Sequence, residues 1–266
     1  MRRALLILSL LAACQAQTLR FSPVAKDIIL ERAADIPSSK QERLKRMKEL
    51  FMESGCLTVA EQAIPTSEIP NLICRLSGTT EKTIIVGANY SQIDPDNWAG
   101  ASLLPGLYQS LAGRKRRHTF IFVAFADETK TPAASQFFAT HMTNTEVGHT
   151  HAMIDLTTLG LSPTKFWAAH SDKGLVKALV VVMYALKLPA SQVDIAKAGE
   201  TDSEAFASRH IPRITIHSFT KDAVTVPENN GPIKEFRPNN YYDSYHLISG
   251  YLAYLDETLK SRPAAK

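Results

Sequence analysis

The sequence predicts an α/β fold: a mixed, mostly parallel central sheet sandwiched by helices. Three observations point there. Short apolar runs rich in β-branched residues alternate with longer segments of helical periodicity, the pattern of strands laid between covering helices. The 266 residues, 45% hydrophobic and 21% charged, have ordinary globular composition and are ample for a sizeable core. No uninterrupted apolar run reaches the roughly 18 residues of a membrane-spanning helix, so no internal span is expected.

The elements follow in order. Ser38 or Ser39 caps a helix whose Leu44, Met47 and Phe51 share one face, and Gly55 ends it. Residues 83–90 (TIIVGANY) read as a buried strand. Residues 97–111 read as a helix that Pro105 bends. Residues 118–125 (HTFIFVAF) form the next strand, and a helix follows over 132–140. Strands are expected at 152–159 and 165–169, then a strongly apolar helix at 173–188. Ile211-Pro212 introduces a strand at 213–217. Tyr241, Tyr245, Ile248, Leu252, Leu255 and Leu259 step by three and four along a last helix. There is no internal repeat or linker, so residues 22–260 are expected to form one domain.

Residues 1–16 stand apart from this domain. Met1-Arg2-Arg3 is a basic start, and an apolar stretch follows from Ala4 to Leu11. This is the pattern of a secretory signal peptide. Two processing routes fit. Leu11-Ala12-Ala13-Cys14 resembles a bacterial lipobox, in which Cys14 is lipidated and becomes the new N-terminus. Cleavage near Ala16 is the other. Either gives an exported protein, in the periplasm or cell envelope or secreted, touching a membrane only through a lipid at Cys14. Loss of Arg2 and Arg3 takes the formal charge from +4 to +2, which excludes the whole chain as a nucleic-acid binder. With Cys14 in the signal, Cys56 and Cys74 remain. An even pair in an exported chain suggests a disulfide, with two buried thiols as the alternative.

Sites in open α/β sheets gather beyond the carboxyl ends of strands. Three strands here end in polar residues: Asn89-Tyr90-Ser91, Ala126-Asp127-Glu128 and Asp155-Leu156-Thr157. Asp96-Asn97 heads a helix. The run 84–135 resembles the zinc-dependent aminopeptidases of metallopeptidase family 28, relatives of glutamate carboxypeptidases and glutaminyl cyclases. Their marks are V-G-A-H-x-D, D-[NDP]-x-[SA]-G, F-x-x-E-E, N-x-D and a late His. The corresponding stretches are Val86-Gly87-Ala88-Asn89-Tyr90-Ser91, Asp96-Asn97-Trp98-Ala99-Gly100, Phe125-Ala126-Asp127-Glu128-Thr129 and Asp155-Leu156-Thr157. Similarity continues through Thr201-Asp202-Ser203-Glu204-Ala205-Phe206, Ile211-Pro212 and the Tyr-rich last helix. Some bacterial relatives also carry a Cys pair where Cys56 and Cys74 stand. The resemblance implies a zinc-aminopeptidase-like, phosphorylase/hydrolase-like fold.

It also implies a site with two zinc ions, held by two His and three carboxylates. Carried over by position, Asp96 is the bridging carboxylate and Glu128 the general base. The other ligand positions hold Asn89, Thr129, Thr157 and, by a looser match, Pro227. Ser91 replaces the Asp that orients the first His. Zinc takes imidazole, thiolate or carboxylate donors, about four per ion. One Asp cannot hold two dications roughly 3.5–4 Å apart. Without metal, Glu128 has no activated water to deprotonate. The expectation is therefore a degenerate zinc site with no cofactor, on a non-catalytic binding or assembly protein that takes peptide or protein N-termini in the inherited cleft. The alternative is an active metal-dependent aminopeptidase with an altered ligand set.

Other residues are weighed against a structural role. His149 and His151 read as a solvated pair at the wrong end of a strand. His170-Ser171-Asp172 reads as polar loop, with no G-x-S-x-G elbow in the chain. His217 ends a strand on the correct side and is the best replacement ligand, although a core or rim histidine is the commoner case. Arg114-Lys115-Arg116-Arg117 reads as a solvated basic loop rather than a nucleic-acid groove.

Overall fold

The computed structural model describes residues 19–65, 67–91, 95–126, 133–195, 200–219 and 236–259, with only the backbone of 95–97. Its centre is an eight-stranded sheet in the order β1-β2-β4-β3-β5-β8-β6-β7. The strands are β1 Val59–Gln62, β2 Asn71–Leu76, β3 Thr83–Asn89, β4 Thr119–Phe125, β5 Thr150–Leu156, β6 Lys165–Phe166, β7 Ser191–Gln192 and β8 Arg213–His217. The four central strands β4, β3, β5 and β8 run parallel, while β2 and β6 run antiparallel to their inner neighbours. Every residue of β5 is buried, as is every residue of β3 before Asn89. That explains their continuous apolar runs: a strand covered on both faces has no polar alternation.

Helices α1 Lys26–Ala34, α2 Lys40–Glu53, α4 Leu103–Ala112, α7 Lys173–Leu186 and α8 Pro238–Thr258 pack together on one side. Helix α5 Ala133–His141 and a 3₁₀ segment, Asp202–Arg209, lie on the other. The strand pleat sorts the two layers. Phe122 meets Tyr108 of α4, whereas Phe125, three positions on, meets Phe138 of α5 and Phe206 of the 3₁₀ segment. The tyrosines of α8 act as tethers. Tyr241 Oη donates to the Ala99 carbonyl at 2.8 Å and Tyr251 Oη to the Leu175 carbonyl at 3.0 Å, while Tyr245 Oη accepts from the Val24 amide at 2.7 Å.

Local chemistry sets the boundaries. Ser39 caps α2 in a reciprocal box with Glu42. Gly55, at φ +94°, closes it: the Gly55 amide bonds Met52 O and the Cys56 amide bonds Phe51 O. This turn carries Cys56 to Cys74 of β2. The two form a disulfide with Cα atoms 6.2 Å apart.

Several expectations are corrected. The helix expected at 97–111 is two helices, α3 Pro95–Ala101 and α4, broken at Ser102. Pro105 lacks an amide to bond the Ala101 carbonyl and its ring crowds that oxygen, so α3 ends there and Pro105 falls in the first turn of α4. The strand expected at 165–169 stops at Phe166 and gives way to a 3₁₀ turn, Ala168–His170. His149 and His151 are no solvated pair. His149 closes helix α6, Asn144–His149, 3.5 Å from Glu81, whereas His151 is buried in β5 against the His118 ring. Arg116 is no free loop charge, because its guanidinium bonds the Leu111 and Ala112 carbonyls at the end of α4. Strands β1 and β2 and helix α1 had no counterpart in the sequence reading. β1 is four residues long, and the burial of β2 breaks at Ile73 and Arg75.

Candidate functional site

The parallel strands bring their carboxyl ends to one edge of the sheet. Asn89 pairs with Phe125 across β3 and β4, and the Tyr90 amide bonds Phe125 O at 3.0 Å. Gly87 of β3 pairs with Asp155 of β5, and the Thr157 amide bonds Ile216 O of β8 at 3.1 Å. Asn89, Thr157 and His217 therefore lie at the carboxyl ends of strands, as expected, and those strands are adjacent.

Helix α3 closes over this edge. A Cβ on Gly100 would lie 2.7 Å from the Leu156 carbonyl, so only glycine lets the helix sit against the end of β5. Trp98, fully buried, anchors it by donating to the Arg32 carbonyl at 3.1 Å. Asp96 lies one turn before Gly100 in α3, and its side chain lies outside the described residues. So do Glu128, Thr129, Pro227 and Cys14. The expected meeting of Asp96 and Glu128 in one cleft is therefore beyond the described part.

The described side chains at this edge are committed locally. Asn89 Oδ1 accepts from the Ser91 amide at 3.1 Å, a turn that ends β3. Ser91 is buried, and Thr157 is half-buried. Thr158 has φ +45°, uncommon for a β-branched residue; its carbonyl accepts from both the amide and hydroxyl of Ser218 at 2.8 and 2.7 Å. His217 is buried, and burial pushes its pKa down to about 4, so it is neutral near pH 7. Its Nδ1 accepts from the Phe219 amide at 3.2 Å and is unavailable to a metal. His217 is a core histidine.

The described residues at these positions do not by themselves make a zinc donor set. Among the described residues no three His, Cys, Asp or Glu side chains are grouped so as to hold a metal ion. The described donors at the ligand positions are an amide and a hydroxyl, neutral groups that cannot offset the charge of a dication.

His170-Ser171-Asp172 is structural throughout. His170 stacks on Trp167 and its Nδ1 lies 2.9 Å from Glu204, Ser171 donates to the Trp167 carbonyl, and Asp172 caps α7. A groove of about 590 Å³ between α7 and α8, lined by His151, Leu175, Ala178, Val181 and Tyr254, opens at the amino end of β5, away from this edge.

Asp155 was read only as part of a strand ending. It is buried, and burial is the largest influence raising its pKa, to about 7; a smaller rise comes from Glu204, opposed by hydrogen bonds from Thr215, Ser203 and Thr201. Its Oδ2 lies 3.2 Å from Thr215 Oγ1. A carboxylate inside an apolar strand was the available signal; its hydroxyl partners come from distant sequence.

Among solved structures, LapA aminopeptidase of Legionella pneumophila matches with TM-score 0.72 and 14% identity, over 89% of this chain and 73% of that one. A glutaminyl cyclase from an Acidobacteriales bacterium matches with TM-score 0.68 and 13% identity, over 91% and 98%. BSAP, a zinc aminopeptidase of Bacillus subtilis, matches with TM-score 0.62 and 14% identity over 73% of this chain, which spans 52% of that enzyme. No protein-family model and no curated protein sequence matches. At these identities the likeness shows the fold.

Proposed function

From this fold, common to zinc aminopeptidases and glutaminyl cyclases, we propose that the chain is an exported peptidase-fold protein whose cleft binds rather than hydrolyses. The observation that carries this reading is the pair Asn89 and Thr157, an amide and a hydroxyl at the ends of β3 and β5 where the family resemblance calls for His and Asp. Asp96 and Glu128 remain in the sequence. Were these two carboxylates to share one cleft without a dication, they would favour a cationic occupant, and the ammonium of a peptide or protein N-terminus has that chemistry. The signal-like start supports action in the periplasm or cell envelope, or after secretion, with Cys14 as the attachment point if it is lipidated.

The test is metal analysis and an aminopeptidase assay on the purified chain. The expected result is substoichiometric zinc, no chelator-sensitive release of N-terminal residues, and binding of a peptide with a free N-terminus over its acetylated form. Stoichiometric zinc, with activity that a chelator and Glu128→Gln both abolish, would establish the alternative: an active metallopeptidase with a rebuilt ligand set. Asn89→His alone should restore no activity, since one imidazole leaves each ion short of donors.

A further inference from the structure

The amino ends of the parallel strands form the sheet edge away from the candidate site, and positive charge collects there. The turn from α4 into β4 carries Arg114, Lys115, Arg116 and Arg117; Arg116 is half-buried and the other three are exposed. The start of the described chain lies against the same turn. The Ser22 amide donates to the Ser110 carbonyl at 2.9 Å, and an Arg114 guanidinium nitrogen lies 3.4 Å from the Phe21 carbonyl, which brings exposed Arg20 beside the run. The Arg116 guanidinium bonds the Leu111, Ala112 and Ser77 carbonyls, and that of Arg117 bonds the Glu257 carbonyl. Neutral carbonyls hold these cations in place and leave their charge in force.

The acids here are fewer. Asp256 is buried and accepts from the Arg117 and His118 amides at 3.1 and 2.7 Å, and Glu257 is exposed. Farther along the edge, Glu81 lies 3.5 Å from His149, and Glu146 and Asp172 cap α6 and α7. Beyond Leu259, where α8 reaches this edge, the sequence continues through Lys260, Arg262 and Lys266 with no acid.

We propose that this basic face docks on an anionic phospholipid surface and so holds the carboxyl edge, with the candidate cleft, toward solution. Clustered Lys and Arg gain affinity for anionic headgroups, about five-fold for each residue near the surface. The length of the entering segment fits. Cys14, the attachment point if it is lipidated, stands eight positions before Ser22, a reach of at most about 29 Å. A domain of this length is about 45 Å across. A lipid at Cys14 therefore cannot pass around the domain to the far edge, and tether and basic face approach the membrane together. The inference rests on the export reading only for the tether; the charge of the face is independent of it.

The test uses the chain from residue 17, one of the two expected processed forms, which carries no lipid and retains every described residue. It is sedimented with vesicles of phosphatidylcholine alone or with about one third phosphatidylglycerol. The expected result is binding to the anionic vesicles only, lost at about 0.5 M salt, where charges are screened within a few ångströms. Arg114→Glu with Lys115→Glu should weaken binding at least ~10-fold. Lys26→Glu with Lys187→Glu makes the same change in net charge toward the opposite edge, where Lys26 bonds Asn239 at the start of α8 and Lys187 ends α7. That pair lies beyond the screening length and should leave binding within about two-fold of wild type. All four side chains are exposed. In the bound protein a fluorophore on Thr79→Cys, whose amide bonds Arg116 O, should be shielded from aqueous iodide, and one on Lys187→Cys should stay accessible. No binding, equal binding to neutral vesicles, equal losses in the two double variants, or shielding at Lys187 overturns the proposal.

Discussion

His217 shows how one residue type takes its role from its surroundings. At the end of β8 the imidazole is buried, neutral and bonded to a backbone amide, and its pKa falls to about 4. For a group whose folded pKa is depressed, stability is full above the unfolded value near 6.5 and is lost as pH falls toward 4. Replacing the histidine by a neutral amide should therefore flatten the acid side of the stability profile. The predicted loss between pH 7 and 4 is at most about 3 kcal/mol in wild type and should shrink in His217→Gln, measured by urea unfolding. An unchanged acid limb would show that folding does not depress the His217 pKa.

At the scale of elements, the meeting of α3 with β5 depends on an absent side chain. Gly100 costs the helix about 1 kcal/mol of intrinsic propensity relative to alanine. In exchange, α3 rests on the Leu156 carbonyl. Gly100→Ala puts a methyl 2.7 Å from a backbone oxygen that cannot move without disturbing β5. The propensity gain is outweighed, and a net loss of about 1–3 kcal/mol is expected. Calorimetry would measure it, and a stabilised variant would show that α3 is free to shift. The D-x-x-x-G spacing was legible in the sequence, and its glycine has a packing reason independent of any metal. The break at Ser102 was missed because Pro105 was read as a bend; its clash with the Ala101 carbonyl ends one helix and begins the next.

For the molecule as a whole, the Cys56–Cys74 bridge ties the end of α2 to β2, the strand that extends the parallel core toward the sheet edge. It closes a short loop with a sequence separation of 18, worth about 3 kcal/mol in the chain-entropy account. Reduction should lower the melting temperature without abolishing the fold, since both cysteines are also buried in the main apolar core. Intact-mass measurement should show two alkylatable thiols only after reductant. Thiols free in native protein, or a melting temperature indifferent to reduction, would contradict this.

The α/β class, the central strands and the last helix were set by the sequence alone, because a strand buried on both faces must be apolar throughout and a helix on the sheet must repeat its apolar face. The amide at Asn89 and the hydroxyl at Thr157 were equally legible, since the donor type of a residue is fixed by its identity. Tertiary structure decided which polar residues are spare and which are spent. His151, Arg116, His170 and His217 read alike as candidates or solvent-facing groups; His151 and His217 are spent on burial, Arg116 on backbone carbonyls, and His170 on the Glu204 carboxylate and the Trp167 ring. The cluster around Asp155 could not be read at all: Thr201, Ser203 and Thr215 come within hydrogen-bond reach of one another and of Asp155 only when β8 lies beside β5 and the 3₁₀ segment folds across both. Long-range strand pairing sets that proximity, and no local pattern encodes it.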